Sequence, residues 1–296
     1  MEVSLADIIG LLLRVCILST VFGLGLKATR EDLAYLLHKP QLFARSLLAM
    51  YVLTPLIAVL LVLVFNAPFP VKVAVLLMAI SASAPVLPKK LFKLGANPPY
   101  VYSLAVIMAL FAIVTVPLSL VALGAFFGRD ASVPVGQVAY VITKALLAPL
   151  FAGMGVRHFW PALAERIGEP LITYAGIILL GLILLIVATQ FSVIVGIGLP
   201  AFLIIVVMTL AALAIGHALG GPDPNDRTTL ALACATRFPA LGLLIASLNF
   251  PNAKPMPIVV AYLLIANLTV MPYMRWRKSQ QGAQNAEQSS VAAARR

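Results

Sequence analysis

The sequence predicts an all-α polytopic membrane protein, and three observations carry that prediction. Of 296 residues, 62% are hydrophobic and 10% charged, with a mean hydropathy of +1.04, whereas a soluble domain carries roughly a quarter charged residues. Apolar runs of about 20 residues recur along nearly the whole chain, each long enough to cross ~30 Å of hydrocarbon as a helix. The runs lack the alternation of apolar and polar residues that strands of a membrane barrel need.

Nine spans are predicted, at about 5–26, 40–66, 70–95, 98–127, 135–157, 169–190, 197–220, 228–250 and 256–277, with ends good to roughly two to four residues. The first opens with Glu2 and Asp7, has no basic stretch and shows no small-residue cleavage site, so it reads as a retained span rather than a removed leader. Between the first two spans, Thr29-Arg30-Glu31-Asp32 has the form of a helix start. Leu33, Leu36 and Leu37 then line one side of a short helix at the interface. Cys16 and Cys234 fall inside apolar runs, where a thiol behaves as a small hydrophobe, so no disulfide, metal or other cofactor is expected. The tail over 279–296, rich in Gln, Ser and Ala, reads as disordered, leaving 1–278 as one transmembrane domain.

Prolines add a second regularity. Pro55 lies in span two, Pro85 and Pro88 in span three, and Pro117 in span four; Pro200, Pro239 and Pro272 lie in spans seven, eight and nine. Spans one to four thus match spans six to nine, and an offset of five makes the two copies face opposite ways. Inverted repeats with a broken helix at the same place in each copy are the plan of many secondary transporters, whose substrate sits near the midplane at the breaks. Pro85, Pro88 and Pro239 mark those breaks, in spans three and eight. A plainer reading is available, because prolines also kink ordinary membrane helices.

The formal net charge of +11 does not imply nucleic acid, since a polynucleotide binder gathers its cations on one polar face. Here they sit mostly in short loops. Counted in alternate loops, Lys27, Arg30, Lys39, Arg157, Arg166, Arg227, Arg275, Arg277 and Lys278 fall on one side, against Arg129 and Lys254 on the other. The positive-inside rule places the N-terminus outside and the C-terminus in the cytoplasm of an inner (plasma) membrane.

Charges inside the spans are costly and need a reason. They are Arg14, Lys89, Lys90, Lys144 and Arg237, with Lys93 nearer an inner end, and no Asp or Glu is placed among them. Lys89 and Lys90 follow Pro88, and Arg237 stands two residues before Pro239. At such breaks freed N–H groups and helix dipoles already favour an anion. Lys89, Lys90 and Arg237 are therefore the candidate substrate-binding residues, with Thr236, Ser103, Phe238 and Asn267 completing the cavity. Set against this, Lys89, Lys90 and Lys93 would snorkel to the interface in a purely structural role. For Arg14 and Lys144, helix packing or solvation without substrate is the leading reading.

Val21-Phe22-Gly23-Leu24-Gly25-Leu26, then Lys39-Pro40, Thr54-Pro55-Leu56, Arg227-Thr228 and Leu241-Gly242-Leu243 resemble the bile acid:sodium symporter family over about 5–278. The resemblance implies sodium-driven carriage of anionic organic solutes. It implies a core domain (about 40–127 and 197–277) with two crossing broken helices, and a panel domain (about 5–26 and 135–190). It also exposes departures. The Ser-Asn pair of the family's first crossover falls at about Lys89-Lys90 here. Ser103 matches a family Ser, but Ile107 stands where a Thr belongs. The Glu-x-Gly-Met-Gln-Asn stretch reads Ala233-Cys234-Ala235-Thr236-Arg237-Phe238. Sodium wants several oxygen ligands, so both family sodium sites are expected to be lost.

The sequence thus predicts a secondary transporter of a small organic anion, its partners being that anion and membrane lipid. Sodium coupling through relocated sites, or a non-transporting sensor or structural role, are the competing readings. An enzyme is disfavoured: there is no buried carboxylate pair and no His/Cys ligand spacing, and His38, His158 and His217 are scattered.

Overall fold

The computed structural model describes residues 5–81, 83–84, 87–126, 135–249 and 255–294. Every regular element among them is helical. Among the described residues seven helices are long and apolar enough to cross a membrane: Ile8–Lys27, Pro40–Val64, Pro98–Ala122, Tyr140–Phe159, Pro161–Val195, Gly198–Leu219 and Met256–Gly282. The runs predicted at 70–95 and 228–250 form no single helix, and each is split.

Helix α1 (Leu5–Lys27) packs along α9 (Ala148–Phe159) and α10 (Pro161–Val195). Glycine permits the closest part of that contact. A Cβ on Gly25 would stand 2.3 Å from the Leu150 carbonyl oxygen, and one on Gly153 2.3 Å from that of Phe22. These are backbone atoms that cannot step aside.

The predicted helix start at Thr29 forms α2 (Arg30–Leu37). Asp32 N–H donates to Thr29 Oγ1 at 3.1 Å, and Thr29 N–H donates to Asp32 Oδ2 at 2.9 Å, a closed capping box. Leu36 is buried and Leu37 exposed, while the Leu33 side chain lies outside the described residues. The burial of Leu36 docks α2 on α7 (Pro98–Phe126), where its N–H donates to Ser103 Oγ at 3.1 Å.

The second span has an irregular middle. A π-helical segment, Leu48–Leu53, joins α3 (Pro40–Leu47) to α4 (Thr54–Val64). Another, Thr143–Leu147, joins α8 (Val135–Ile142) to α9. Each stands just before a proline, Pro55 or Pro149, whose missing N–H interrupts the regular ladder.

The split runs are α5 (Phe69–Ile80) with α6 (Leu87–Phe92), and α12 (Pro224–Ala235) with α13 (Pro239–Asn249). Both lie among the remaining helices, with α11 (Gly198–Leu219) along α12 and α14 (Met256–Ala294) beside α5, α12 and α13. Helix α14 continues past Lys278 to Ala294, where composition predicts an unstructured tail. Ala, Gln and Glu are good helix formers, and Gln281 ties the extension down through Nε2, which donates to the carbonyl of Leu94 and to Asn225 Oδ1.

Candidate functional site

Two helix ends meet at the centre. Helix α5 stops at Ile80, and Ser81 is extended (φ −65°, ψ 154°). Helix α12 stops at Ala235, Thr236 is extended (φ −101°, ψ 94°) and α13 begins at Pro239. Pro239 is suited to that first position, where its missing N–H costs nothing, and it biases Phe238 away from helical backbone. Ser83 and Arg237 form an isolated antiparallel bridge, and Ala84 N–H donates to the Thr236 carbonyl at 3.2 Å. The two interruptions therefore pair backbone to backbone. Pro85 lies outside the described residues; Pro88 is buried in α6.

Arg237 fills this junction and is 1% exposed. Its Nη1 donates to the Ser81 carbonyl at 3.0 Å and its Nη2 to the Met50 carbonyl at 3.2 Å. Both acceptors are orphans made by the local backbone. Ser81 lies past the end of α5, beyond the last helical donor. Met50 sits in the π-helical segment, where Thr54 N–H is turned to Ala49 and the next residue, Pro55, has no N–H to offer. A guanidinium has five N–H donors, and Arg237 Nε has no partner among the described residues.

A small cavity opens on this group, lined by Thr236, Arg237, Tyr262, Leu263, Ala266 and Asn267 among others. Its volume, about 10 Å³, is room for one water. Asn267 turns its Nδ2 back to the Leu263 carbonyl at 2.8 Å, and its Oδ1 accepts from Lys90 Nζ at 2.8 Å. Thus Arg237, Thr236, Asn267 and Lys90 are gathered around one junction, drawn from α6, α14 and the α12–α13 break.

The other candidates are placed differently. The Lys89 side chain lies outside the described residues. Ser103 is buried in α7 beneath α2 and does not line the cavity. Phe238 turns into the main hydrophobic core with Met78, Ile80 and Leu241. Arg14 and Lys144 line a separate cavity. The Met50 carbonyl is a functional group that residue types alone did not reveal. Its signal was Pro55, but the π register that frees the carbonyl is a backbone property.

Residues 14–197 match the model of the sodium bile acid symporter family, more than half of the chain. The chain belongs to the sodium bile acid symporter family. The match ends before α12, so in this symporter-family chain Arg237 lies beyond the matched residues, while its partners Met50 and Ser81 lie within them. Membership makes it a multi-pass membrane protein of a transporter family. No curated protein matches the chain.

Proposed function

We propose that this chain is a secondary transporter that moves a small organic anion across the inner membrane by alternating access, without sodium at the family's usual positions. In this reading the two split runs each complete a crossing, which gives nine passes in two inverted halves, the N-terminus outside and the C-terminus in the cytoplasm. Helices α1, α8–α9 and α10 act as the panel and the rest as the core.

The observation that carries the proposal is the Arg237 guanidinium, buried beside a small cavity and, among the described residues, with no carboxylate partner and no acceptor at Nε. Arginine does not readily discharge, and its two carbonyl partners supply dipoles but no negative charge. An incoming carboxylate or sulfonate would neutralise it and take the free Nε–H in a charge-assisted hydrogen bond. Lys90, bonded to the cavity residue Asn267, adds a second positive charge next to the junction.

The donor set does not fit sodium. The carbonyls of Ser81 and Met50 and the side-chain oxygen of Asn267 already accept from Arg237 and Lys90. A hard cation needs such oxygens free and is repelled by fixed like charge. Arg237 acts instead as a tethered cation that ties α5, the π-helical segment and the α12–α13 break together.

At about 10 Å³ the cavity is shut to any organic anion, so binding requires the elements around it to part, which is the movement alternating access provides. The same smallness favours a second reading, a non-transporting role that keeps the fold.

A thermal-shift screen of organic carboxylates and sulfonates, with and without sodium, tests the proposal, because a ligand of the native state raises apparent stability. Stabilisation by an anion, equal in the two salts and absent in Arg237→Ala, is expected. Stabilisation by sodium alone contradicts it. Ligand stabilisation with no flux in proteoliposomes marks the second reading.

A further inference from the structure

We infer that Arg14 and Lys144 form a second, lateral site that holds the phosphate head group of an anionic membrane lipid. The two cations border one cavity of about 250 Å³, with Ile17, Leu18, Val141 and Leu244 among its walls. Both side chains are exposed, and among the described residues neither has a carboxylate partner.

The surroundings decide what kind of anion this is. On α1, Arg14 stands in a stripe with Leu11, Val15 and Leu18, all exposed and all on one helical face. On the facing segment, Lys144 stands between Tyr140 and Phe151, also exposed. A water-filled vestibule would be lined by polar groups, whereas exposed apolar stripes at membrane depth face acyl chains. Each unpaired cation in that setting is costly unless something neutralises it.

The helix directions point both cations to one side of the bilayer. Gly25 lies against Leu150 and Gly153, while Arg14 shares a cavity with Tyr140 and Lys144, so residue numbers rise together and the two segments run parallel. Helical side chains lean toward the N-terminus, and long basic ones extend that lean toward the interface. Lys144 does this: its Nζ lies 4.4 Å from the ring centroid of Tyr140, one turn back. Guanidinium and ammonium thus reach toward the same leaflet, with apolar walls below them for the first methylenes of an acyl chain.

The test uses the full chain in detergent with added phosphatidylglycerol or phosphatidylcholine, bound lipid being counted by native mass spectrometry and stability read as Tm. Two basic groups at the site predict about a thirtyfold preference for phosphatidylglycerol and a Tm raised by it alone. The double change Arg14→Gln and Lys144→Gln should abolish both, while Lys144→Arg keeps them. Equal retention of the two lipids by the unaltered protein, or a preference that survives the double change, overturns the inference. So does inorganic phosphate that reproduces the stabilisation by itself.

Discussion

Arg237 was legible in the sequence as a charge in an apolar run, but its partners were not. The carbonyls of Ser81 and Met50 carry no residue-type signature, and both become acceptors only because a helix ends or a π register shifts a donor. This gives a test at the scale of one side chain. Arg237→Lys keeps the charge but cannot reach both carbonyls with one point donor. It is expected to destabilise by about 1–3 kcal/mol, the loss of a hydrogen bond to a charged group, measured by denaturation of the purified protein. Asp226, at the start of α12, gives a second. It is 5% exposed, and its Oδ1 has no partner among the described residues. Burial, with Asp223 adding, raises its carboxyl to about 6, while Lys39 opposes. The folded form therefore holds the proton more tightly than the unfolded chain does. Its contribution to stability is present at low pH, declines as pH rises from about 4 toward 6, and stays low above that. Asp226→Asn is expected to flatten that part of the Tm-against-pH curve.

At the scale of elements, apolar runs pointed to a chain of membrane-spanning helices, and the Thr29 box located α2. What sequence missed came from contacts between elements. The dipeptide after Pro88 was legible as positive, yet that Lys90 would tether α6 to α14 through Asn267 required both helices in place. A double-mutant cycle on Lys90→Ala and Asn267→Ala is expected to give a coupling of about 1 kcal/mol, well short of additivity for neighbours in one hydrogen bond. The close approach of α1 and α9 was legible only as scattered glycines. Gly153→Ala puts a methyl group 2.3 Å from the Phe22 carbonyl oxygen. The helices must separate, at a cost of about 1–3 kcal/mol typical of overpacking, seen as a lower Tm.

For the whole molecule, hydropathy gave a polytopic helical protein, and the family match supports the same class. The substrate was never legible, since no residue pattern encodes an anion's shape and the cavity measures only about 10 Å³. The energy source is more accessible. If Arg237 and Lys90 stand in place of a bound metal cation, the transport cycle has no use for sodium at the crossing. The direct measurement is uptake of a stabilising organic anion into proteoliposomes under a sodium gradient and with sodium replaced by choline on both sides. Equal initial rates in the two conditions, both abolished by Arg237→Ala, are expected. Uptake that stops when sodium is withdrawn would contradict the account.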